Sequence, residues 1–269
     1  MLLKNKLFVF CLGFIFAAPA FAEDVRLADE VTSALNEESP FTSNINLTNN
    51  YLLRGISLTG GKPAIQGGAD YERAGFYVGI WGSSISILGD TYQESKGAAG
   101  ATNGGLELDT YIGYKKKLEN DFSYDVGFLR YNYPGNYAAG ATSANTNEVY
   151  GAAGYKWITA KYSYSLGNTF GYANTTGTNY MELNAVYPIE PIGMALGAHY
   201  GKQTFVGTGA ILNGNSLTYS DYRLSVTKEL DEEFEFSLAY SKTNATAAYT
   251  VLGQNLGRGA VIGTLTRVF

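Results

Sequence analysis

The connectors in this chain alternate in length, short then long, between segments of about ten residues that themselves alternate apolar and polar. After the first hairpin the short ones are Glu72–Gly75, Glu119–Asp121, the bend near Trp157, Pro188–Gly193 and Leu230–Glu233. The long ones are Gly89–Gly105, Pro134–Asn147, Asn168–Asn179, Val206–Thr218 and Thr243–Gly257, rich in Gly, Ala, Asn and Thr. A soluble sandwich has no reason to collect every long loop at one end. A barrel through the bacterial outer membrane does, because its periplasmic turns are short and its outer loops long. The expected fold is therefore all-β: a transmembrane, antiparallel, up-and-down barrel over residues 41–269 with both termini periplasmic.

The first 22 residues read as a secretory signal peptide: Lys4 and Lys6, an apolar stretch Leu7–Ala18, then the small-x-small site Ala20-Phe21-Ala22. The only cysteine, Cys11, lies in that stretch, so the mature chain from Glu23 would carry no disulfide and no thiolate chemistry. The formal net charge of −5 becomes more negative once Lys4 and Lys6 are removed, which argues against a nucleic-acid partner. No later apolar run reaches the roughly 18 residues of a transmembrane helix. Yet 45% of residues are apolar and Tyr alone numbers 22, which suits strands facing lipid between aromatic belts. Residues 23–40 are acidic, with Leu27, Val31 and Ala34–Leu35 at helical spacing; they read either as a disordered periplasmic leader or as a short helix that enters and narrows the lumen.

Twelve strands are expected, near 43–57, 63–71, 75–87, 104–118, 122–133, 147–156, 158–168, 179–187, 193–205, 219–230, 234–242 and 258–269. In Phe234–Ser241, Phe234, Phe236, Leu238 and Tyr240 share one face, and Glu235, Ser237, Ala239 and Ser241 the other. Successive strand side chains point to opposite faces, so each segment has an oily and a wet wall. Periodicity alone does not say which wall is inside; the signal peptide, the loop asymmetry and the ending on Phe269 favour an oily exterior. A terminal Phe on an alternating strand, with Leu265, Gly263 and Val261 on its face, is the address read by the barrel-assembly machinery, although Arg267 stands where an apolar residue is expected. Leu129, Tyr131 and Tyr133 break phase with Phe122, Tyr124, Val126 and Phe128, which implies a bulge or an aromatic-lined lumen.

The first strand and hairpin read Leu47-Thr48-Asn49-Asn50-Tyr51-Leu52-Leu53-Arg54-Gly55-Ile56-Ser57, then Gly61-Lys62-Pro63-Ala64-Ile65-Gln66-Gly67. With Leu106-Glu107-Leu108-Asp109, Tyr131-Asn132-Tyr133-Pro134-Gly135, Glu148-Val149-Tyr150-Gly151 and Tyr219-Ser220-Asp221-Tyr222, this resembles the TorF family of proteobacterial porins across the mature chain. Asn50 stands where that family usually has an acid, and Leu58 where it usually has a polar residue. The resemblance implies a porin-like barrel and supplies no solute.

Catalytic signals are thin. His199 is the only histidine and the only base for a hydrolase or acyltransferase of the Ser–His type. A zinc site is not spelled without a second His or a mature Cys. Glu107 and Asp109 could be paired carboxylates or calcium ligands, but lumenal charge accounts for them more simply. No cofactor is implied. By register the lumen walls should carry Arg54, Glu107, Asp109, Lys115, Asp125, Lys161, Glu182, Asp221, Arg223, Glu229 and Glu235, seven acidic and four basic residues. Twelve strands fall between the side-chain-filled small barrels and the wide porins. The expectation is a narrow outer-membrane channel, seated in lipid and lipopolysaccharide, for small hydrophilic solutes with a modest preference for cations. Its rivals are a non-conducting barrel that works through its loops, and a lipid-modifying enzyme centred on His199.

Overall fold

In the computed structural model, which describes residues 39–95 and 102–269, the chain forms one closed antiparallel barrel of twelve strands. They are β1 (Phe41–Thr48), β2 (Ala64–Arg73), β3 (Phe76–Ser84), β4 (Leu106–Lys117), β5 (Phe122–Asn132), β6 (Thr146–Tyr155), β7 (Ile158–Ser165), β8 (Asn179–Ile189), β9 (Met194–Thr204), β10 (Tyr219–Glu229), β11 (Phe234–Thr243) and β12 (Ala260–Val268). Each pairs with its neighbours in sequence, and β12 returns to β1 through five register pairs from Asn44↔Val268 to Thr48↔Thr264. The expected signal peptide and nearly all of the leader at 23–40 lie outside the described residues. The connector expected as the loop Gly89–Gly105 begins with a helix, α1 (Ile87–Glu94).

The period-two pattern fixes which side chains face out. Phe76, Leu224, Val261, Ile112 and Met181 are 56–66% exposed on the outer wall. Their strand neighbours Tyr77, Tyr111 and Tyr180 are buried inside. A soluble barrel would reverse this order, because apolar area removed from water is worth about 25 cal/mol per Å². At the short-turn end the outer wall carries a girdle of aromatic pairs: Phe41–Tyr71 at 4.9 Å between ring centroids, Phe76–Tyr114 at 4.7 Å, Phe122–Tyr155 at 4.7 Å and Trp157–Tyr187 at 5.5 Å. Arg267, the charge that interrupts the final apolar face, sits at this rim. It reaches Glu233 at 2.8 Å and stacks on the Phe269 ring at 4.5 Å, so its guanidinium leaves the apolar band.

Register across β4 and β5 runs unbroken from Leu108↔Asn132 to Lys117↔Ser123. The phase break in β5 is therefore no bulge: Leu129 and Tyr131 turn inward and line the lumen with apolar surface. These tyrosines need room. Tyr77 lies opposite Gly113 and Tyr150 opposite Gly127, and a methyl on either glycine would overlap the tyrosine hydroxyl. Glycine at these sites lets the rings lie flat along the wall.

Candidate functional site

The expected first strand, 43–57, ends at Thr48. Beyond it Leu52–Leu53 pairs with Ile56–Ser57 in a small hairpin of its own, and the chain rejoins the wall only at Ala64. Arg54 and Gly55 form the two-residue turn, with φ of 50° and 77°. Two positive φ values give the primed turn that matches strand twist, usually written Asn-Gly. An arginine there costs roughly 1–2 kcal/mol in backbone strain, which its side chain must offset. Arg54 is thus not on the barrel wall, as expected from the sequence, but at the tip of a hairpin folded into the lumen.

The offset is visible in its contacts. Arg54 is 3% exposed. Its Nη1 and Nη2 donate to the two Glu148 carboxylate oxygens on β6 at 3.1 and 2.7 Å, and Nη1 also donates to Gln203 Oε1 on β9 at 2.7 Å. The guanidinium carbon lies 4.4 Å from the centre of the Tyr180 ring on β8 and 5.6 Å from that of Phe170. A planar, forked donor set on a carboxylate with an aromatic face beneath it is the arrangement in which arginine surpasses lysine. On the other side of the turn, a Cβ on Gly55 would meet Thr243 Cγ2 at 2.5 Å and Asp221 Cβ at 2.7 Å. The tip therefore meets the wall from β6 round to β11, with β9 and β10 side by side between them.

The stem is equally held. Tyr51 packs on Trp81 at 5.5 Å, and its hydroxyl donates to Glu107 Oε1 at 2.9 Å. Burial, with the Glu107 and Asp109 carboxylates beside them, pushes the Tyr51 and Tyr133 hydroxyls well above the ordinary tyrosine value, so both remain donors. Asn50 Oδ1 accepts from Ser57 Oγ at 2.6 Å and Thr59 Oγ1 at 3.1 Å. Hydrogen bonds inside the loop thus occupy the Asn50 side chain. Leu53 and Leu58 join an apolar cluster with Trp81, Leu129 and Tyr131, while Ile56 joins Phe205, Leu217, Tyr249 and Leu256 from the other long loops. The outer half of the lumen has a core.

The other expected lumenal residues all lie on inward-facing positions. Glu107, Asp109, Asp125 and Asp221 are fully buried. Asp125 accepts from Tyr77 at 2.6 Å, and Tyr77 also meets Tyr150 hydroxyl to hydroxyl. Lys115 pairs with Glu72 at 2.7 Å, and Lys161 lies over the Tyr150 ring at 4.4 Å. Glu182 accepts from Asn184 at 3.0 Å. Glu229 sits at the short-turn mouth. His199 Nε2 lies 2.9 Å from Asp221 and 3.0 Å from the Tyr180 hydroxyl, and Nδ1 lies 2.6 Å from Asn184. Both ring nitrogens are thereby engaged by groups other than serine. Arg223 and Glu235 line the space left beside the hairpin, with Thr48, Gln66, Ser237, Ile262, Thr264 and Thr266. This crevice runs along β10, β11, β12, β1 and β2. Among the described residues no cluster of three His, Cys, Asp or Glu side chains could hold a metal ion.

A sequence model described as "Bacterial protein of unknown function (Gcw_chp)" matches residues 34–269. No curated protein matches the sequence. Similar solved structures include the KdgM porin in complex with disordered oligogalacturonate, 8% identical over 85% of this chain and 97% of that one, TM-score 0.47. The COG4313 outer membrane channel from Pseudomonas putida F1 is 14% identical over 90% of this chain and all of its own, TM-score 0.45. OccAB3 of Acinetobacter baumannii is 8% identical over 87% and 66%, TM-score 0.46. Similarity at this level carries neither cargo nor mechanism.

Proposed function

The chain belongs to the Gcw_chp family of bacterial proteins of unknown function, and from that premise we propose that it is an outer-membrane, porin-like channel for small hydrophilic solutes or ions, narrowed at rest by its own first connector. The observation that carries this reading is the inverted barrel. Its apolar residues face outward between aromatic rims while its charges face the lumen, an arrangement stable only with lipid outside. Export through the N-terminal signal, lipopolysaccharide around the long loops and assembly through the Phe269 strand follow from the same reading. With Arg54 assigned to the hairpin, the acids Glu107, Asp109, Asp125, Glu182, Asp221, Glu229 and Glu235 face only Lys115, Lys161 and Arg223 as expected bases on the wall. Charges lining a pore set its selectivity, which supports a preference for cations.

A second reading, a barrel that conducts nothing and presents its loops as a surface, draws support from the firm seating of the hairpin. The experiment that separates them is single-channel recording of the refolded mature chain under a potassium chloride gradient, beside a variant with residues 52–57 replaced by two glycines. Small steps from the native chain, larger ones from the variant and a reversal potential favouring potassium support the channel. Silence from both, with each shown to be a folded barrel, favours the surface protein.

A further inference from the structure

We propose that the pocket now filled by Arg54 is a recognition site for guanidinium-bearing solutes, and that Arg54 occupies it as a built-in competitor. The pocket is assembled on three wall strands and one loop: Glu148 on β6, Tyr180 on β8, Gln203 on β9 and Phe170. None of these belongs to the hairpin. With Arg54 seated, Glu148, Gln203 and Tyr180 are each about 1% exposed, and all three stand on the wall rather than on the hairpin. Ser165 Oγ donates to Glu148 Oε1 at 3.2 Å, which orients the carboxylate independently of Arg54.

The chemistry selects the ligand class. The two carboxylate oxygens and the Gln203 oxygen accept from one planar fork, and the Tyr180 ring lies beneath its face at 4.4 Å. A guanidinium satisfies all of these at once; an ammonium is a point donor and leaves the face and one oxygen poorly used. Emptying the pocket would leave the Glu148 carboxylate on the wall without its cation. The site therefore calls for a cation whenever the hairpin is out. A soluble guanidinium that takes the pocket frees the tip, and the hairpin is held more weakly. Because Arg54 is tethered, it competes at an effective concentration in the millimolar range or above, so opening needs comparable ligand. The coupling of occupancy to opening rests on the pore reading; the existence of the site does not.

The test uses the refolded mature chain in detergent and ethylguanidinium chloride as the probe, with ethylammonium chloride as the control. Calorimetric titration of Arg54→Ala should show ethylguanidinium binding at least tenfold tighter than ethylammonium, and adding Glu148→Gln should weaken it at least tenfold. Gly55→Val displaces the tip by overlap with Thr243 and Asp221 while every charge is kept, and it should expose the same site if Arg54→Ala does not fold. The native chain in a planar bilayer should show several-fold more open time with ethylguanidinium than with ethylammonium. Folded variants that bind the two cations equally, or bind regardless of Glu148, overturn the site. A hairpin-deleted barrel that conducts while the native chain ignores ethylguanidinium overturns the competitor role and leaves the pore standing. Binding as expected with no conductance from any variant supports the site and removes the pore.

Discussion

Arg54 and Glu148 lie 94 positions apart in the chain and meet in the lumen through two parallel hydrogen bonds of 3.1 and 2.7 Å. One belongs to a loop and the other to the wall, so this pair ties the tip of the first connector to the barrel. Removing one partner of a buried ion pair costs about 3–5 kcal/mol, because the other is left charged and dry. Glu148→Gln should therefore loosen the hairpin more than Arg54→Ala and Glu148→Gln together loosen it. Proteolysis within residues 49–63 reads this directly; equal cleavage of the single and double variants would show that the pair does not hold the hairpin.

Gly55→Ala is expected to act on the hairpin and spare the barrel. Its φ of 77° is unfavourable for alanine, and the new methyl would press on Thr243 and Asp221. The variant should keep the heat-dependent gel mobility of a folded barrel while its conductance rises above that of the native chain. Unchanged conductance would mean that the tip does not limit passage.

The lipid-facing assignment makes a sharp contrast between neighbours on β10. Leu224 is 66% exposed at mid-strand, while Ser225 points to the lumen. Leu224→Arg should cost about 2–4 kcal/mol in folding free energy in vesicles, and Ser225→Arg much less. Equal penalties would contradict an outer wall in contact with lipid.

Gly113→Ala and Gly127→Ala should each be destabilising by roughly 1–3 kcal/mol, since the methyl forces Tyr77 or Tyr150 away from the wall. Combining Gly113→Ala with Tyr77→Ala should recover part of the loss, as measured by denaturant unfolding in lipid. No recovery would place the strain in the backbone instead.

The twelve strands were readable because period-two alternation survives in most of them and the short turns punctuate them. The hairpin was not, for a physical reason: a strand facing lipid and a hairpin packed inside a lumen both use extended runs rich in apolar residues, so 43–57 reads as one strand. The mark of the break is Arg-Gly between Leu53 and Ile56, an uncommon spelling of a primed turn. Wall charges on clear strands were placed inward by parity alone. Glu148 and Gln203 escaped because the run Gly151-Ala152-Ala153-Gly154 blurs the period in β6, and because an uncharged glutamine gives no reason to be singled out. Their roles depend on which strands face one another across the lumen, information that local sequence does not carry.

The hairpin hangs from β1, yet what its tip grips stands on β6, β9, β10 and β11. None of that scaffold exists for it until strands far downstream have joined their ladders. An unfinished cylinder thus has nothing to seat the tip of its stopper, whereas a finished one supplies the missing handholds. The bolt thereby doubles as an inspector: it slides home only in a barrel that has been completely made.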